Sequence, residues 1–194
     1  PTMSAPHPSA LAQASAFLCL GCWLVAYVLM IRRGILDKTY GMPASALMLN
    51  LAWESLLEFV VEIPYESWRA GYGLWLLFDV GILYTCLRYG RDDYKHPLIR
   101  RFFHLWLLGG FGLALLAEWA FISAYEDLGG TVLGWIFAIY INGTLSAMLL
   151  RRDSVRGQSP WTAVFIVAGN LAGYLQLMTY PLPPPLDRKS TRLN

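Results

Sequence analysis

Charge is scarce in this chain. Asp, Glu, Lys and Arg make up 14% of its 194 residues, against 56% for hydrophobic residues, and the mean hydropathy is +0.44. That balance excludes an ordinary water-soluble domain and describes a membrane protein. Cysteine is sparse as well, with Cys19, Cys22 and Cys86 the three in the chain. Cys19 and Cys22 are three apart but lack a second ligand pair, which argues against zinc, and all three fall in apolar runs as small core residues. Missing too are an internal repeat, a Walker loop, a His-rich metal signature and a nucleophile elbow. Neither a metal nor a cofactor is expected, nor a nucleic-acid partner, nor an obligatory protein partner.

What the chain has in abundance is long apolar runs. A bilayer core of about 30 Å needs roughly 20 apolar residues, and runs of suitable length fall at 14–31, 43–61, 73–87, 102–121, 131–150 and 161–180. The spacing predicts an all-α, polytopic transmembrane helix bundle with six visible spans in a single domain over residues 1–185. The first run is not read as a signal peptide, because Arg32 and Arg33 follow it and no small-residue cleavage site stands out. Basic residues then set the topology. Arg32, Arg33 and Lys38 follow the first span; Arg88, Arg91, Lys95, Arg100 and Arg101 the third; Arg151, Arg152 and Arg156 the fifth. Of the opposing loops, only one holds a basic residue, Arg69. The asymmetry predicts cytoplasmic basic loops and an N-terminus on the other side. The chain begins at Pro1, and the polar stretch 186–194 resembles translated sequencing adapter. It is expected to be a nonnative or disordered tail on a fragment.

Against this background the acids at membrane depth stand out: Glu54 and Glu58 in the second run, Asp79 in the third and Glu118 in the fourth. An aspartate at the centre of a spanning helix costs about 2.5 to 3.5 kcal/mol on insertion scales, so such acids are protonated, paired or turned to a polar cavity. At 1.5 Å per residue, Glu54 lies roughly 16 Å and Asp79 roughly 13 Å from the basic side, with Asn50, Asn142 and Asn170 at roughly 10 to 14 Å. Polar groups from four helices thus fall near one layer. Asn50, Glu54 and Glu58, spaced i, i+4, i+8, share one face of their helix. Glu58 and Glu118 lie nearer the outer surface and are expected to bind, gate or relay. Trp53 and Trp119 each adjoin an intramembrane acid, and their ring faces would attract a desolvated cation by about 1 to 2 kcal/mol. Trp68, in an outer loop, and Trp161, at the start of the sixth run, fit the interfacial aromatic belt.

Three segments carry a resemblance. LVAYVLMIRRGILDKTYGMPASALMLNLAWE at 24–54 contains the most specific pieces, DKTYGMP and NLAWE. WLLFDVGILYTCLRYGR lies in the third run and SAMLLRRDSVRGQS at 146–159. In this order they resemble the integral-membrane terpene cyclases of fungal meroterpenoid and indole-diterpene pathways, which have bacterial counterparts. The resemblance implies a seven-helix bundle that cyclises a linear polyprenyl chain, with acids initiating by protonation, and it places Glu54 on the family's helix-two glutamate. The family also uses an acid in its last helix. Here the sixth run holds no Asp or Glu and a seventh helix is absent, so the chain is expected to be a truncated seven-helix bundle with Asp79 as the best available partner. Asp92 and Asp93, in RDDYKH, do not complete the aspartate-rich metal motif of soluble cyclases and are read as solvated loop residues.

The chemistry is coherent on its own terms. A desolvated carboxyl keeps its proton and becomes a donor at neutral pH. Delivered to an epoxide oxygen or a terminal alkene inside a dry pocket, that proton starts a carbocation cyclisation. The expected sites are Glu54 and Asp79 as catalytic acids, with Asn50, Trp53, Glu58, Glu118, Trp119, Asn142 and Asn170 lining or supporting the pocket. The expected partners are a lipophilic prenylated substrate and membrane lipid. Midplane carboxyls also mark transporters and proton-conducting proteins, and polar residues also hold noncatalytic scaffolds together.

Overall fold

A computed structural model describes residues 9–61, 63, 66–125, 127 and 130–179. The proline run at 183–185 and the tail at 186–194 lie outside them. Among the described residues the secondary structure is entirely helical: α1 (Ala10–Leu36), α2 (Ala44–Phe59), α3 (Glu66–Tyr89), a 3-10 turn (Gly90–Asp93), α4 (Pro97–Arg101), α5 (Phe103–Tyr125), α6 (Thr131–Arg152) and α7 (Pro160–Thr179). The six expected spans are the six long helices, and α4 is a single extra turn inside the basic loop after α3. Local chemistry sets several ends. Ser9 accepts a hydrogen bond from the Ala12 N–H at 3.1 Å to open α1, and Ser159 does the same for Thr162 at 3.1 Å, ahead of Pro160 at the first position of α7.

Five of these helices are long and apolar enough to cross a membrane. The exception is α2, whose 16 residues span about 24 Å. It is nevertheless the centre of the bundle: it packs on α3, α5 and α6, while α1 packs on α3 and α7. Eleven of its 16 side chains are buried. The outward faces of the other helices carry Leu77, Leu105, Leu108, Leu113, Ile139 and Leu171, all more than 60% exposed. A surface of that kind is stable in lipid, where such side chains meet a matching solvent and helices associate through packing and polar contacts. The chain is an integral membrane protein.

The third helix is longer than its hydropathy predicts, and the reason is Arg69. Instead of lying in an outer loop, it sits in an early turn of α3 and donates to the backbone carbonyls of Glu58 at 2.6 Å and Val61 at 3.1 Å. The Glu58 carbonyl belongs to the last turn of α2, where carbonyls lack partners in their own helix and favour a cation, and Val61 lies just past the helix end. Trp68 is likewise within α3, half-buried against the core. Trp161 opens α7 at 64% exposure, as an interfacial anchor would.

Candidate active site

Glu54 and Asp79 come from different helices and meet at one amide. Asn50 precedes Glu54 by one turn of α2, so both project from the same face. The Asn50 Nδ2 lies 2.8 Å from Glu54 Oε1 and 2.8 Å from Asp79 Oδ2 on α3. It lies 2.7 Å from the hydroxyl of Tyr27 on α1, which in turn donates to Glu54 Oε1 at 3.4 Å. Both acids are completely buried, and Tyr27 and Asn50 nearly so. Each carboxyl therefore has one oxygen held. Its other oxygen, Oε2 of Glu54 and Oδ1 of Asp79, has no hydrogen-bond partner. The ion pairs among the described residues, Arg33–Asp37, Arg100–Asp92 and Arg152–Asp93, all lie at the basic end of the bundle.

Tyr27 was not among the residues expected at the site. The signal for it is a tyrosine in a buried stripe of α1 with Trp23 and Met30, since a phenol placed deep in an apolar helix needs a partner for its hydroxyl. Its ring packs edge-on against Trp23 at 5.8 Å.

The remaining expected residues separate. Glu58 is half-buried one turn beyond Glu54, with Oε2 unpartnered, and Gly73 of α3 makes room for its carboxyl, since a Cβ there would stand 3.2 Å from that oxygen. Glu118 on α5 is 3% exposed and neither of its carboxyl oxygens has a partner. Trp53 is a packing centre: its Nε1 donates to the Gly130 carbonyl at 3.1 Å. Its ring stacks on Trp75 at 6.3 Å and meets Tyr72 and Phe137 edge-on at 5.2 and 6.5 Å. Gly130, at φ +61°, tolerates this contact because a Cβ would fall 2.7 Å from that Nε1. Trp119 does not join the cluster. At 53% exposure it points away from the core, because α5 buries the stripe of Leu107, Ala114, Glu118 and Ile122. Asn142 donates to Ala138 of its own helix at 2.6 Å, and Asn170 is half-buried on α7; neither is a partner in the hydrogen bonds around Asn50.

Among the clefts that the described residues form on the bundle surface, two stand out. One, about 400 Å³, runs between α1 and α3 along Val28, Ile31, Ile35 and Phe78. The other, about 310 Å³, runs between α2 and α5 along Met48, Leu49, Leu107, Gly110 and Ala114. Both are apolar, and neither is lined by Glu54 or Asp79.

At the basic end, two of the segments that carried the resemblance lock together. Arg152 binds Asp93 through Nε at 2.9 Å and through Nη2, donates from Nη1 to the Tyr40 carbonyl at 3.0 Å, and lies 4.5 Å above the Tyr40 ring. Asp37 accepts from the Gly157 N–H at 2.9 Å, and the Gln158 amide donates to the Gly41 carbonyl. Gly41 and Gly157 let the two loops touch: a Cβ on Gly157, at φ +79°, would lie 2.6 Å from the Tyr40 carbonyl oxygen. Burial pushes the Tyr40 phenol well up, with Tyr94 and Asp93 acting in the same direction and Arg152 against them. This corrects the expectation for Asp93. Its side chain is 18% exposed and paired, whereas Asp92 is 75% exposed, because Asp93 faces the α6 exit and Asp92 faces water.

Residues 3–179 match the family of Pyr4-like transmembrane terpene cyclases. The chain belongs to this family. Its relatives include the Pyr4-family terpene cyclase mfmH of Annulohypoxylon moriforme, 37% identical over 76% of this chain and 62% of that protein. The terpene cyclase ascF of Acremonium egyptiacum is 30% identical over 79% of this chain and 60% of that protein. For the terpene cyclase esdpB of Penicillium shearii the values are 30%, 80% and 65%. The chain thus spans a little over three-fifths of these relatives. No solved structure matches it significantly. The family match extends over every long helix described above, from α1 through α7.

Proposed function

We propose that this chain belongs to a membrane-embedded, proton-initiated terpene cyclase and that Glu54 and Asp79 are its acid pair. One observation carries the reading: two fully buried carboxyls share a neutral amide, and each keeps one unpartnered oxygen. A buried acid bound by an arginine serves as an anion, but an acid held by neutral donors can retain a proton and give it away. Two adjacent carboxyls without a cation cannot both ionise at small cost, so the pair holds at least one proton.

In this reading, Glu54 delivers the proton to an epoxide oxygen or to the terminal alkene carbon of a polyprenyl chain. The C–O bond opens, or the alkene π pair takes the proton, leaving a tertiary cation. The π electrons of the next alkene attack that cation, closing a ring and moving the charge along the chain until a proton is lost to a base. Asp79 shares the proton with Glu54 or receives one at the end. The substrate is a lipophilic prenylated molecule, which the apolar cleft between α2 and α5 suits as a point of contact from the lipid side. Trp53 acts indirectly, by fixing the aromatic wall beside Glu54. The basic end faces the cytoplasm and the N-terminus the opposite side, supported by the arginine asymmetry.

The test is product analysis in membranes carrying the full-length protein or its Glu54→Gln variant, supplied with prenylated aromatics with and without a terminal epoxide. A cyclic product that disappears in the variant supports the reading and shows which substrate is protonated. Undiminished cyclisation in the variant removes Glu54 from the initiating role.

A further inference from the structure

The arrangement of donors around Asn50 says more than that two acids are buried. The amide carries two hydrogens and the Tyr27 phenol one. They face three oxygens, Glu54 Oε1, Asp79 Oδ2 and Tyr27 Oη, at 2.7 to 3.4 Å. The two amide hydrogens, shared among three oxygen contacts, and the phenol hydrogen all find acceptors within the group, so one oxygen of each carboxyl is occupied. The oxygens left over, Glu54 Oε2 and Asp79 Oδ1, are buried without partners. So is the indole N–H of Trp75, one turn before Asp79 on α3.

We propose that Asn50 is the positioning residue of the Glu54 and Asp79 carboxyls and that Tyr27 completes the clamp, so that each acid presents one defined, unengaged oxygen to the reacting group. The proposal rests on the reading of Glu54 and Asp79 as the acid pair and deepens it. The residue type fits the task. A lysine or arginine at position 50 would hold the same two oxygens but as carboxylates, removing the transferable proton. A leucine would fill the space and hold neither oxygen, leaving three buried carboxyl oxygens unsatisfied instead of two, with Glu54 Oε1 held by Tyr27 alone. An asparagine on α2 reaches both acids with one planar group, because Glu54 lies one turn along its own helix and Asp79 lies on the packed face of α3. Tyr27 ties the third helix, α1, to the same group, so the geometry of the acids is set by three packed helices rather than by one side chain.

The experiment is pH-difference infrared spectroscopy of full-length protein in native-like membranes, read alongside product formation. The carbonyl stretches of the protonated acids are assigned by their loss in Glu54→Gln and Asp79→Asn. Asn50→Leu should move both bands to higher frequency, as hydrogen bonds to the carboxyl oxygens are lost. It should also lower kcat by about 100-fold, within the range for a misplaced general acid, while KM changes less than about threefold. Tyr27→Phe should move the Glu54 band and leave the Asp79 band in place. If both bands are unmoved by Asn50→Leu, or if KM alone rises, the proposal is overturned. Should Asn50→Leu fail to insert, Tyr27→Phe decides: a selective shift supports the clamp, and no shift overturns it. Band shifts in a protein that makes no cyclic product would leave the clamp standing and remove the cyclase reading instead.

Discussion

Two aspartates of this chain, Asp79 and Asp93, live in opposite surroundings. Asp93, at the basic end, faces the forked guanidinium of Arg152. Asp79, in the bundle interior, faces a neutral amide shared with Glu54. Where the chain uses charge for structure it supplies the counter-charge together with backbone carbonyls and a tyrosine ring. At Glu54 and Asp79, which are buried without counter-charge, it supplies only neutral donors and leaves one oxygen of each free. The contrast separates an acid that holds loops together from the two acids proposed to move protons.

The sharpest way to break that contrast is to neutralise an interior acid. Glu54→Gln should lower cyclisation by about 100-fold or more, measured as initial product rate. The thermal unfolding midpoint in detergent should not fall, because the amide removes a proton site without stranding a cation. Next in size is Arg152→Ala. It strands Asp93 and frees the Tyr40 and Arg156 carbonyls, for an expected loss of about 3 kcal/mol, seen as a clear drop in the same midpoint. Arg152→Lys should recover part of it, since a lysine keeps the charge but not the fork. Gly157→Ala attacks the same end through the backbone. A residue strained at positive φ and pressed on the Tyr40 carbonyl should cost about 2 kcal/mol. The smallest effect sharpens the comparison from the other side. Asp92→Asn removes an exposed ion pair with Arg100 and should change stability by less than about 0.5 kcal/mol. A large loss there would show that pairing at the basic end matters even in contact with water.

Much of the helical framework was legible from hydropathy, since a spanning helix must satisfy its own backbone in lipid and announces itself as an apolar run. The start of α3 was not, because Glu66, Ser67 and Arg69 read as a loop until the Glu58 and Val61 carbonyls, at and just past the end of α2, accept from Arg69. Asp93 was misread for a similar reason: its partner lies 59 residues away, and nothing in RDDYKH distinguishes it from Asp92. Within the site, the i, i+4 relation of Asn50 and Glu54 was readable from spacing alone, and depth counting brought Asp79 to nearly the same layer. The outward turn of Trp119 was not readable, since α5 is apolar all round and has no polar face to orient it.

By itself the sequence determined that this protein lives in a membrane, where its long helices run and which residue types are too polar to lie there without a reason. Those properties follow from transfer energies and helix periodicity, which are local. The tertiary structure alone decided that the acids of α2 and α3 meet at one amide, that Tyr27 of α1 joins them, and that Arg152 is committed to Asp93. Those outcomes depend on how separate helices rotate and pack against one another, and a hydrogen bond is decided by distances of less than an ångström between groups that the chain order leaves far apart.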